Sequence, residues 1–90
     1  MKEAAITAAI RKRIRELGGM SLKMHGGPYM EAGIPDLIVI LDARVYFFEV
    51  KAEHGILSRA QAEMHDRLRS NGAHVAVVRS VEEAIDECRK

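Results

Sequence analysis

Asp36, Glu49 and Lys51 carry the chemistry that this sequence offers. Asp36 follows Gly33-Ile34-Pro35, and thirteen residues after it Glu49-Val50-Lys51 ends an apolar run. Two carboxylates and a lysine brought together make a site for a hard divalent cation, which prefers oxygen ligands. A cation so held lowers the pKa of bound water and stabilises charge developing on a phosphate, the two requirements of phosphodiester hydrolysis. Whether the three groups meet depends on what lies between them. Leu37-Ile38-Val39-Ile40-Leu41 and Val45-Tyr46-Phe47-Phe48-Glu49-Val50 are two runs of β-forming residues separated by Asp42-Ala43-Arg44, which reads as a β-hairpin. A turn centred between Ala43 and Arg44 sets Asp36 opposite Lys51 and Ile38 opposite Glu49, so that all three functional groups project from one face. A slip of one residue disperses them. The plainer alternative is that Asp36 starts a strand and Glu49 and Lys51 form a solvated pair. Against it, a Glu-x-Lys at the end of an otherwise apolar strand needs a reason to be there.

These residues resemble the signature of the PD-(D/E)XK nuclease superfamily. The ordered set Gly33-Ile34-Pro35-Asp36-Leu37, Phe48-Glu49-Val50-Lys51, Gly55, Leu57, Ser58 and Gln61 resembles the virus-type replication-repair nuclease family, VRR-NUC, over most of the chain. The resemblance implies a restriction-endonuclease-like core and Mg²⁺ or Mn²⁺ bound by Asp36, Glu49 and the backbone carbonyl of Val50. It also implies that Lys51 acts on the attacking water or the phosphate and that Gln61 supports the site from the next helix. Glu3 is a further implied ligand, acting through water, since the superfamily often draws an acid from its first helix. The implied activity is metal-dependent hydrolysis of DNA, structure-specific at branched or junction sites, in phage or bacterial replication and repair. One site per chain and two strands to cut imply a homodimer. The rival reading is a non-catalytic module of the same fold that binds nucleic acid or a partner protein; the presence of both acids and the lysine favours the enzyme.

The elements that must position these groups follow from periodicity. Residues 3–17 read as an amphipathic helix, with Glu3, Thr7, Ile10, Ile14 and Leu17 on one stripe and Gly18-Gly19 as its stop. Met20 to His25 reads as a strand, and His25 to Gly33 as a turn-rich loop leading into the motif. Ser58-Arg59-Ala60-Gln61 has the capping-box form and opens a helix with Leu57, Ala60, Met64 and Leu68 facing inward, closed by Asn71-Gly72. That box gives Gln61 a structural explanation beside the catalytic one. His74 to Val78 is a short apolar strand, and Ser80 starts a last helix that buries Val81, Ala84, Ile85 and Cys88. The order α-β-β-β-α-β-α is α/β with a mixed four-stranded sheet flanked by helices: an antiparallel meander followed by a crossover helix and a returning strand.

Composition bounds the rest. Ninety residues, 48% hydrophobic and 30% charged, make one globular domain spanning 1–90, with about 60–65% of its surface buried on folding. Four aromatic residues and no Trp leave no base-stacking platform. The single Cys88 forms no internal disulfide, and neither a membrane span nor a signal peptide is evident, so a bacterial or phage-infected cytoplasm is expected. The net charge is only +1, yet residues 1–30 carry six Lys and Arg against two acids. Arg11, Lys12, Arg15, Arg59, Arg67 and Arg69 are therefore expected to contribute to a basic face. Lys23, Tyr29, His54, Ser58 and Arg59 border the motif as DNA-contact candidates. The spacing of His25, His54, His65 and His74 suits no metal site.

Overall fold

The computed structural model describes all 90 residues. Its elements are α1 (Glu3–Glu16), β1 (Met20–Lys23), β2 (Leu37–Leu41), β3 (Arg44–Val50), α2 (Arg59–Ser70), β4 (His74–Val78) and α3 (Val81–Cys88), in the expected order. The strands form one sheet, β1-β2-β3-β4, antiparallel except for the parallel β3–β4 pair that α2 bridges. β1 ends at Lys23, two residues short of the expected His25, and α1 ends one residue early, at Glu16. Its last turn is closed by Gly19 N–H to Ile14 O at 2.9 Å and Gly18 N–H to Arg15 O at 3.0 Å.

Alternation along the strands divides the sheet into two unlike faces. Leu37, Val39 and Leu41 of β2, Tyr46, Phe48 and Val50 of β3, and Ala76 and Val78 of β4 pack with Ile6, Ile10 and Ile14 of α1 and Ala84 and Ile85 of α3 into one core. Burying each large aliphatic or aromatic side chain there is worth about 1.5–3 kcal/mol. The expected α1 stripe is rotated slightly: Ile6 joins Thr7, Ile10 and Ile14 inside, while Glu3 and Leu17 at its ends are exposed. The opposite face carries Ile38, Ile40, Phe47 and Glu49, and α2 covers it only toward β4. Met20, Leu22 and Val45 on that face stay about half exposed.

The hairpin register differs from expectation. Leu41 pairs with Arg44 and Leu37 with Phe48, so the turn is centred between Asp42 and Ala43 rather than between Ala43 and Arg44. Continued past Leu37, this register sets Asp36 opposite Glu49, not opposite Lys51, and Ile38 opposite Phe47, not Glu49. The displacement is two residues, so the even positions of β2 still share a face with the odd positions of β3. The cause is the two-residue turn: Asp42 (φ 52°) and Ala43 (φ 64°) both adopt the left-handed region, as a type I′ turn requires. Asp tolerates that region; Ala rarely visits it, and no Asn-Gly or Asp-Gly pair marks the turn in the sequence.

Replacing Ala43 by Gly should therefore stabilise the protein by roughly 0.5–1 kcal/mol, conformational relief exceeding the added entropy of the unfolded chain. Urea unfolding should show a higher midpoint at unchanged slope.

Candidate active site

The site forms where β2 begins and β3 ends. Gly33 sets the approach. At φ +84° it lies so close to the first turn of α2 that a Cβ would collide with the backbone of Ala60 and come within 2.9 Å of Gln61 Cα. No side chain fits there. The chain then runs through the buried Pro35 into Asp36, whose backbone carbonyl accepts from Met24 N–H at 2.9 Å as the β1–β2 ladder extends one rung further.

Asp36 Oδ1 accepts a hydrogen bond from Val50 N–H at 3.1 Å, which ties the first acid to the strand that carries the second. Its other oxygen lies 3.9 Å from Lys23 Nζ. Burial raises the Asp36 pKa, the Val50 N–H and Lys23 oppose that rise, and the negative charge of Glu3 adds to it. Glu49 is 3% exposed. Burial and then the charge of Asp36 push its pKa up to about 7, with Lys51 acting the other way. Glu49 Oε1 lies 3.2 Å from Nε2 of His65, a fully buried side chain of α2. Loss of solvation, reinforced by Arg69, lowers the His65 pKa.

Glu3, Lys23, Asp36, Glu49, Lys51 and Gln61 line an open cleft of about 510 Å³, walled by most of the loop joining β1 to β2. Three of the four expected catalytic residues, Asp36, Glu49 and Lys51, meet here even though the hairpin register is displaced by two residues from the expected one. Glu3, exposed at the start of α1, lines the same cleft. Gln61 also lines it, but its Oε1 accepts from Ser58 N–H at 2.9 Å while Ser58 Oγ accepts from Gln61 N–H at 3.1 Å, so the capping box occupies that oxygen. No three or more His, Cys, Asp or Glu side chains converge as a closed cage. Two facing carboxylates with the cleft open before them suit Mg²⁺, which keeps several of its waters and takes only one or two carboxylates. Burial, and for Glu49 the charge of Asp36 as well, raises both pKa values, and a bound cation would act against that rise.

The expected DNA contacts scatter. Lys23 stands against Asp36 inside the cleft. Tyr29 is 99% exposed on the loop. His54 projects into solvent beside Glu53, Ser58 is the helix cap, and Arg59 pairs with Glu63 at 3.0 Å. The expected basic face does not form as one surface. Arg11 is turned onto Ser21, Arg67 onto Glu31 and Arg69 onto Val75 O and Asp66, and α1 and α2 lie on opposite faces of the sheet, α2 reaching Glu49 through His65.

His65 escaped the sequence reading, which asked only for metal-ligand spacing among histidines. A signal was present: His65 stands four residues after Gln61 and three before Leu68, one stripe of a helix whose other side is charged. The loop after Lys51 has a hidden brace as well. Arg79 Nη1 donates to the carbonyls of Ala52 and Gly55, both at 2.7 Å, fixing the backbone that follows the lysine.

This arrangement of sheet, helices and facing acids is that of a nuclease fold. A solved structure of Archaeoglobus fulgidus Hjc, described as a Holliday junction resolvase from an archaeal hyperthermophile, superposes with a TM-score of 0.64 at 17% identity, over 86% of this chain and 67% of that one. Two solved structures described as VRR-NUC domain proteins superpose more fully. One has a TM-score of 0.82 and 32% identity over 99% of this chain and 96% of its own; the other has 0.74 and 20% over 99% and 86%. No curated protein sequence matches significantly. The sequence pattern of the VRR-NUC domain matches residues 3–82, and the chain belongs to that family.

Because the folded pKa of Glu49, about 7, lies above the ordinary 4.5 of a glutamate, its contribution to stability is fully present below about pH 4.5 and lost as pH rises through 7. In chelator, Glu49→Gln should melt higher than wild type at pH 8, with the difference shrinking as pH falls and vanishing only below about pH 4.5. Scanning calorimetry across that range checks the sign.

Proposed function

We propose that this protein is a Mg²⁺- or Mn²⁺-dependent nuclease that hydrolyses DNA phosphodiester bonds, acts on branched or junction DNA, and works as a homodimer. The observation that carries the reading is the convergence of Asp36, one residue beyond the Leu37–Phe48 pair, with Glu49 and Lys51 at the wall of one open cleft. Asp36, Glu49 and the carbonyl of Val50 would hold the cation. It would supply Lewis acidity and a hydroxide-like water. Lys51 brings a positive charge to the phosphate or takes part in proton transfer to or from the water. Lys23, held near Asp36, keeps a second positive charge at the same wall. Gln61 contributes from the rim through whatever donor capacity the capping box leaves free.

Junction specificity draws support from the fold shared with the Holliday junction resolvase. Pairing with a second copy draws support from the sheet face that α2 leaves bare, where Met20, Leu22 and Val45 are 51%, 46% and 48% exposed around Ile38, Ile40 and Phe47. A junction has two strands to cut and each chain has one site, so a partner presenting the same face satisfies both needs.

Asp36→Ala and Glu49→Ala should each abolish metal-dependent cleavage of a four-way DNA junction. Lys51→Ala should lose on the order of 10² in rate with metal affinity less affected. Single-stranded, duplex and flap DNAs assayed in parallel test the preference, and wild-type rates in either acid variant would sink the assignment. Light scattering should give a dimeric mass for the wild type and a monomeric one for Leu22→Glu, which places a charge on the bare face. A monomeric wild type that resolves junctions at full rate would contradict the pairing.

A further inference from the structure

His65 has no place in the reading above, yet it is the most completely enclosed ionisable side chain of the protein. It sits on α2 behind the sheet end, with Nε2 3.2 Å from Glu49 Oε1. Its Nδ1 is the one buried side-chain nitrogen or oxygen that has no hydrogen-bond partner. A neutral ring that donates from Nε2 leaves Nδ1 as a buried acceptor without a partner, a cost that any ordinary core residue of similar volume would avoid. Packing alone does not account for a histidine here.

The geometry points to His65 as a positioning residue for Glu49: its Nε2–H holds Oε1 and so aims Oε2 at the cleft. The inference rests on the reading of Glu49 as a cation ligand. Three constraints converge on that carboxylate. The strand register sets it opposite Asp36, the Val50 N–H ties Asp36 to the next residue of the same strand, and the histidine fixes the remaining rotation of the carboxyl group. Without the last, the buried Glu49 side chain is free to turn away from Asp36, whose charge repels it. With it, the facing pair is formed before any cation arrives. Partners that orient a ligating carboxylate commonly govern affinity for the metal while leaving the chemistry after binding less affected. His65, fully buried behind Glu49, therefore acts through that carboxylate rather than on the substrate.

The test uses the full chain and Mn²⁺ alone as the probe. His65→Leu removes the donor at similar volume, and His65→Gln restores an amide donor at the position of Nε2. Calorimetric titration should show Mn²⁺ affinity reduced roughly 10- to 100-fold in the Leu variant, with the Gln variant recovering to within about threefold of wild type. The Mn²⁺ concentration for half-maximal cleavage should rise in parallel, while the rate at saturating Mn²⁺ falls far less. Long-range ¹H–¹⁵N correlation spectra of the metal-free wild type should show a neutral ring protonated at Nε2. A ring protonated only at Nδ1, a folded Leu variant that binds Mn²⁺ as wild type does, or a folded Gln variant as weak as the Leu variant would each overturn the inference. Should the Leu variant fail to fold, the Gln variant and the ring tautomer decide. A wild type that binds no Mn²⁺ removes the nuclease reading itself and this inference with it. Metal binding that is indifferent to His65 removes only the inference.

Discussion

Two carboxylates are forced face to face at the end of the β2–β3 ladder, and everything around them accommodates that juxtaposition. The pairing of Leu37 with Phe48 puts Asp36 opposite Glu49, at the separation of adjacent strands, where like charges oppose one another. Desolvation compounds the repulsion, because Glu49 lies almost wholly inside. The fold answers with a backbone N–H on Asp36, with Lys23 and Lys51 within electrostatic reach, and with a histidine against Glu49. These contacts leave both carboxyl groups harder to ionise than in water, and a cation bound between them would add stability by favouring their charged forms.

The division of labour between the two sheet faces follows from the same strands. The face under α1 and α3 is continuous and apolar, and it supplies the rigidity. The face under α2 alternates with it residue by residue, so it cannot be apolar throughout and also carry Glu49. Covering it only near β4 leaves the acids reachable from the cleft. Rigid support and chemical access are thus obtained from one four-stranded sheet in a chain too short for separate layers.

Much of this was legible in the sequence. The element order, the capping box at Ser58 and Gln61, and the convergence of Asp36, Glu49 and Lys51 are all written in hydrophobic period and short motifs. The register was not, because the turn uses Ala43 at positive φ, a conformation that no residue type there announces. Side-chain parity rescued the site reading: an error of two residues keeps every residue on its face, whereas an error of one would have scattered the three groups. The basic face failed for a different reason. Helix periodicity locates each arginine on its own helix but does not say that α1 and α2 lie on opposite sides of the sheet or that a carboxylate or carbonyl already engages the guanidinium. His65 was hidden for the same reason, its partner lying sixteen residues earlier on another element.

The hydrogen bond from Val50 N–H to Asp36 Oδ1 gives the molecule a built-in reporter. Most amides in a sheet answer to a neighbouring carbonyl and report on the ladder. This one answers to a carboxylate at the cleft, so its exchange with deuterium and its resonance frequency follow the occupancy and orientation of that carboxylate. The state of the site is thereby encoded in a backbone proton at the last residue of β3, observable by isotope exchange without labelling a side chain or turning over a substrate.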